Sequence, residues 1–218
     1  MRFVKKFTEW WSDHPVYRWL EARINNHFRK KLQNDNFTIL CSNCIGGLIY
    51  HRLGKQFLTP TQGTYITQTD FVSFCIHLNH YLQQPLEFFT PEAPHRFAAR
   101  LAGDGREVPT ITVNFPHCSS VEEANTGWER RKKRINLDNL YIILYNLDGI
   151  TPEQLRMLEQ VPCRNKVVLT AHPLPEISWS HYIKPVKWHQ NSYTYMNRDL
   201  LGFRYYEKKF DFVGFLNQ

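Results

Sequence analysis

No window of this 218-residue chain approaches the run of roughly 18 apolar residues that a membrane-crossing helix needs. The N-terminus alternates aromatic and basic residues in place of an unbroken apolar stretch, which predicts no cleavable leader. Asp-x-Asp is absent too. A metal-dependent glycosyltransferase generally uses that pair to hold Mg or Mn against a diphosphate, so its absence excludes the commonest form of that chemistry. GxSxG, paired CxxC motifs with zinc-ligand spacing, RNA-binding signatures, internal repeats and low-complexity tracts are all missing as well. The reading is therefore of a globular protein with no metal and no nucleic-acid partner.

Acidic residues are in the minority: 20 Asp and Glu face 27 Lys and Arg, a formal charge of +7. Such a balance favours an anionic partner, whether a phosphate-bearing small molecule or a membrane surface. The five cysteines are odd in number, which with the missing leader points to a reducing compartment and a cytoplasmic protein, with attachment to the inner membrane face left open.

Periodicity then divides the chain. Residues 1–35 read as a basic, aromatic, amphipathic arm in two helical pieces separated near Pro15, with Asp13 as the cap of the second. Phe3, Phe7, Trp10 and Trp11 share one face, and Leu20, Ile24 and Phe28 continue it at fourfold spacing. Residues 1–32 could meet a bilayer, a second subunit, or simply their own domain. Residues 36–218 alternate strands with helices, which predicts a single α/β domain built on a mostly parallel sheet flanked by helices. Its strands are expected at the start of the stretch Phe37–His51, at Val108–Phe115 (VPTITVNF), Leu140–Asn146 (LYIILYN) and Lys166–Pro173 (KVVLTAHP). Helices follow Asp70, the Ser119-Ser120 pair and Thr151-Pro152, each residue placed as a cap or first turn.

The stretch FTILCSNCIGGLIYH, Phe37 to His51, reads as a buried strand breaking sharply into a helix at Cys44. Backbone N–H groups at a helix start have no partner within the helix, so a thiol there is expected to be drawn below its usual pKa of about 8.5, more so with an imidazolium beside it. Gly46 and Gly47 would let a substrate approach the backbone, and Asn43 or the N–H groups near Ile45 and Gly46 would hold an oxyanion. Parallel sheets gather reactive groups at the carboxyl ends of their strands. This edge would collect Cys44, His117, Asp148 and His172, with His117 as general base and Asp148 orienting it. ERRKKR, Glu129 to Arg134, offers Arg131 and Arg134, three apart, as phosphate ligands. CSNC also has the spacing of a thiol redox pair, and His77 and His80 could share an ion.

Several segments together resemble a bacterial family of uncharacterised proteins associated with exopolysaccharide or capsule biosynthesis. They are SNCIGGLIYHRLG (Ser42–Gly54), TPTQG (Thr59–Gly63), DFVSFCIHLNHYL (Asp70–Leu82), WERRKKRIN (Trp128–Asn136) and the RYYEKKFDFVGFLN terminus. The Asn43-Cys44 turn is also similar to that of capsule proteins proposed to be coenzyme A-dependent acetyltransferases. The resemblance implies a pathway, and singles out Asn43, Cys44, Gly46, Gly47 and His117 over Cys41 and His172. Joined to the chemistry above, the expected function is acetyl transfer from acetyl-coenzyme A to a sugar or lipid-linked glycan in capsule, exopolysaccharide or lipopolysaccharide biosynthesis. The alternatives are a non-catalytic assembly protein of the same machinery or a metal-independent glycosyltransferase.

Overall fold

The computed structural model describes residues 13–91, 97–146, 150–184 and 198–218. In chain order the elements are α1 (Pro15–Lys31), β1 (Thr38–Cys41), α2 (Ile45–Leu53), β2 (Tyr65–Ile66), α3 (Gln68–Ile76), α4 (Leu78–Tyr81), β3 (Glu87–Phe89), β4 (Ala98–Leu101) and β5 (Ile111–Asn114). They continue as α5 (Val121–Lys132), β6 (Leu140–Asn146), α6 (Pro152–Met157), β7 (Asn165–Thr170), β8 (Ser180–Tyr182) and α7 (Phe212–Leu216).

One sheet is wholly parallel, in the order β1-β6-β7-β8. Inner strand β6 is apolar at nearly every position, and inner strand β7 over Val167–Leu169, because helices cover both faces. Leu40, Ile142, Leu144 and Val168 point to one side, against Phe71 and Phe74 of α3, Trp128 of α5 and Leu155 of α6. Ile39, Cys41, Ile143 and Leu169 alternate to the other side, against Ile45, Ile49 and Tyr50 of α2 and Phe212 and Phe215 of α7. Each large apolar side chain buried this way contributes about 1.5–3 kcal/mol, so the two clusters fix the layer order.

The α/β architecture is as expected, but VPTITVNF does not join the parallel sheet. It forms β5 in a second, antiparallel sheet of order β2-β5-β4-β3. Val113 and Phe115 point into the same core cluster as α3 and α5. Period-two alternation marks a half-buried strand without naming its neighbours, and here one partner, β4, precedes β5 directly while the other, β2, lies back across α3, α4, β3 and β4. The two sheets meet where the Ile66 N–H donates to the Ser42 carbonyl, just past β1 (3.3 Å).

Helix caps differ from the sequence reading at two places. His14 takes the place expected of Asp13, its Nδ1 accepting the Val16 N–H at 3.3 Å, while Asp13 pairs with Arg18. Thr67 caps α3, and Asp70 accepts the Thr112 N–H from β5 instead. Ser120 and Thr151 with Pro152 cap their helices as expected, and Gly54 in the left-handed region (φ 66°) ends α2. Among the described residues no helix is long and apolar enough to cross a membrane. Phe3, Phe7, Trp10 and Trp11 lie outside the described residues.

A buried ion pair joins α1, α2 and the C-terminal segment. Arg52, near the end of α2, gives Nε and Nη2 to the two carboxylate oxygens of Glu207 at 2.8 and 2.7 Å. The same guanidinium donates to Asn25 of α1 (2.7 Å) and to the Gly202 carbonyl (2.8 Å). The two side chains are 3% and 0% exposed. Burial works against the Arg52 charge, and Glu207 more than offsets it, so the guanidinium pKa is raised. Breaking one partner of such a pair leaves an uncompensated buried charge. Glu207→Gln is therefore expected to lower unfolding free energy by about 3–5 kcal/mol in urea titrations, and Arg52→Met combined with Glu207→Leu to recover part of that loss.

Candidate functional site

The site begins with the break between β1 and α2. Asn43 makes the turn: its Oδ1 accepts the Ile45 N–H at 2.9 Å and faces the Cys41 Sγ at 3.4 Å. Gly46 lets the first turn of α2 sit against β1, because a Cβ there would lie 2.8 Å from the Cβ of Cys41. That is closer than packed carbons allow. The missing side chain at Gly46 thus serves helix-on-strand packing, and the space beside Gly47 is filled by the amide of Gln62. Neither glycine opens the backbone to a substrate in the way the sequence suggested.

Cys44 is the N-cap residue of α2 and half-buried. His117 reaches it from the other sheet. β5 pairs with β2 in a register that sets Asn114 opposite Tyr65, and β2 is bonded back to Ser42, so the chain leaving β5 returns to the start of α2. The result is a Cys44 Sγ to His117 Nε2 distance of 3.4 Å across 73 residues of sequence. When the imidazole carries its proton on Nδ1, the thiol donates to Nε2.

Burial pushes the Cys44 thiol up, opposite to the expectation from its place at a helix start. The hydrogen bonds show why. The Ile45 N–H is taken by Asn43 and the Cys44 side chain accepts no cap bond, so the loss of water is left unopposed. Cys41, fully buried, is pushed up to about 11 by the loss of water. The resting arrangement is thus a neutral thiol beside an imidazole, with the proton able to pass to His117 as a bond forms.

Two residues beyond the expected set bear on this place. The Thr59–Thr64 loop is locked by its buried threonines: Thr59 and Thr61 hydroxyls lie 2.9 Å apart, Thr64 donates to the Thr61 carbonyl at 2.7 Å, and the Cys41 N–H donates to Thr61. That lock presents Gln62 over the first turn of α2. Loop polarity alone could not reveal it, although TPTQG stood out as a motif. Cys118, next to His117, is the other, and its thiol is raised by burial and by Glu123 while Arg131 acts in the opposite sense.

Arg131 lies on α5 with its guanidinium folded over Gly127, and its Nε is buried with no hydrogen-bond partner. Burial lowers its pKa. It is the one of the two proposed phosphate ligands with an unmet donor beside the histidine loop; Arg134 follows the helix, where its N–H donates to the Arg131 carbonyl. His172 is exposed past the end of β7. Asp148 lies outside the described residues. His80 is bonded to the Ala102 carbonyl at 2.9 Å and His77 ends α3, and among the described residues no group of His, Cys, Asp or Glu is placed to hold a metal. Cys41 and Cys44 are both free thiols.

Residues 16–217 match a family model described as Domain of unknown function (DUF1919). The chain is also 31% identical over 195 residues to an uncharacterized protein of Haemophilus influenzae (strain ATCC 51907 / DSM 11121 / KW20 / Rd), an alignment covering 89% of this chain and 90% of that protein.

Alkylation reports directly on the resting state of the thiol. Iodoacetamide labelling of Cys44, followed by peptide mapping, is expected to be slow near neutral pH and to climb through and beyond the ordinary thiol value of about 8.5. A rate already level at neutral pH would reveal a standing thiolate–imidazolium pair in place of the neutral one.

Proposed function

The chain belongs to the DUF1919 family, a membership that assigns no reaction; from its own side chains we propose acyl transfer, and from its resemblance to capsule-associated proteins we take the reaction as acetyl from acetyl-coenzyme A to a sugar hydroxyl in bacterial exopolysaccharide, capsule or lipopolysaccharide biosynthesis. The observation that carries this reading is the 3.4 Å approach of the Cys44 sulfur to His117 Nε2. The two residues come from different sheets, and a half-buried thiol within reach of an imidazole is the minimal equipment of a cysteine nucleophile.

In the first half-reaction the thiol proton passes to His117 as the sulfur attacks the thioester carbonyl, and the tetrahedral adduct expels the coenzyme A thiolate, which takes the proton back. In the second, His117 removes the proton of the acceptor hydroxyl, the oxygen attacks the S-acetyl group, and Cys44 leaves as a thiol. The raised pKa suits this sequence, because proton transfer accompanies bond formation and no standing thiolate is needed. Asn43 uses Oδ1 on Ile45, leaving its Nδ2 as a donor for the developing oxyanion, and the Gln62 amide is a second donor from the adjoining loop. The unpartnered Nε of Arg131 fits an anionic group of the donor.

The same pKa direction supports one variant of the reading. His117 can deprotonate the acceptor hydroxyl directly, with Cys44 only lining the site. Intact-protein mass spectrometry after incubation with acetyl-coenzyme A separates the two. A covalent mechanism is expected to give a mass gain of one acetyl group, absent in Cys44→Ala and formed about 10²–10⁴-fold more slowly in His117→Ala. No adduct together with retained transfer to a glycan acceptor selects the direct route. No adduct, no transfer and no thermal stabilisation by coenzyme A or nucleotide sugars would leave a binding or assembly role in the same machinery.

A further inference from the structure

Helix α1 has two faces of opposite chemistry. Tyr17 and Ile24 are buried, and Phe28 packs on Phe212 with ring centroids 4.7 Å apart. The apolar stripe of this helix is thereby spent on its own domain. Val16, Trp19, Arg23 and Lys30 lie on the other side, within a sector of roughly 60° at 3.6 residues per turn. Trp19 is 56% exposed and Val16 48% exposed, and the Arg23 guanidinium stands 4.8 Å from the centroid of the Trp19 ring. A tryptophan left in water beside an arginine is unexplained by the fold.

The charge on this helix is one-sided. It carries Arg18, Arg23, Arg29, Lys30 and Lys31 against one acid, Glu21, which turns inward to Arg198 at 2.7 Å and Arg52 at 3.8 Å. Arg18 is matched by Asp13, and Arg29 donates to the Arg52 carbonyl. Arg23, Lys30 and Lys31 have no acidic partner among the described residues. Leu200 and Leu201, 59% and 54% exposed, stand on the turn before Gly202, and Gly202 abuts Tyr17 and Ile24 of the same helix.

We propose that the outer face of α1 docks on an anionic lipid surface, the helix lying in the plane of the bilayer with Trp19 at headgroup level and Arg23 and Lys30 against lipid phosphates. The helix holds 17 residues, too polar to span a bilayer, and with its apolar stripe packed inward it offers a lipid surface its cationic face and the exposed Val16 and Trp19. Exposed Val16 and Trp19 among the cations of one helix face favour a lipid surface over duplex nucleic acid, whose phosphates would reward the charges alone. This surface is independent of the acyl-transfer reading, since none of its residues belongs to the Cys44–His117 site.

The test is cosedimentation of the full chain with sucrose-loaded vesicles of phosphatidylglycerol and phosphatidylcholine, against vesicles of phosphatidylcholine alone and against duplex DNA. The chain is expected to pellet with the anionic vesicles only, less so as salt is raised. Trp19→Ala is expected to weaken this several-fold, and Arg23→Glu with Lys30→Glu to remove it, both variants keeping the wild-type melting curve because the positions are exposed. The proposal is overturned by failure to pellet with anionic vesicles, by equal binding to zwitterionic ones, by variants that bind as well as wild type, or by binding to DNA in the absence of vesicle binding.

Discussion

The buried pair of Arg52 and Glu207 is the constraint on which the candidate site depends. Two full charges removed from water are tolerated only because each carboxylate oxygen meets a guanidinium nitrogen and the remaining donors reach Asn25 and the Gly202 carbonyl. That satisfaction fixes the far end of α2 against α1 and the C-terminal segment. The near end is fixed by Asn43 on the Ile45 N–H and by Gly46 against Cys41. A helix held at both ends presents Cys44 in one place, which is what a reactive group needs from its scaffold.

The electrostatics of that place come from competition for the same few N–H groups. A helix start offers its unpaired donors to whatever acceptor lies nearest, and here Asn43 takes the Ile45 N–H. Cys44 stands beside the helix start without receiving its bonds, so desolvation prevails and the thiol rises. Two cysteines three residues apart thus differ sharply: one faces Asn43 and is sealed in the core, the other is half-buried and faces an imidazole. A thiol in this state is spared much of the oxidation that a standing thiolate invites.

Much of this was legible in the sequence because local rules governed it. The strand, break and helix from Phe37 to His51, the caps at Ser120 and Thr151, and the strands at Leu140–Asn146 and Asn165–Thr170 follow from apolar pattern and turn chemistry. Cys44 and His117 were singled out as chemically able groups near strand ends. Their meeting was expected for a different reason: a shared parallel edge was assumed, whereas β5 belongs to the antiparallel sheet and delivers His117 through its pairing with β2. Gln62 and the Arg52–Glu207 pair gave no local signal. A glutamine in a polar loop and an arginine near a helix end look like ordinary solvated residues until distant segments close over them.

The sequence by itself determined β1, β5, β6 and β7 and the main helices, the α/β class, the break at Cys44 and the basic character of the N-terminal helix, because each depends on residues within a turn or two of one another. Only the tertiary structure decided the division into two sheets, the direction of the thiol's pKa, the burial of the stripe on α1 and the 3.4 Å meeting of sulfur and imidazole. Those depend on which water molecules are displaced and which donors are already taken, quantities that exist only once residues far apart in the chain are packed together.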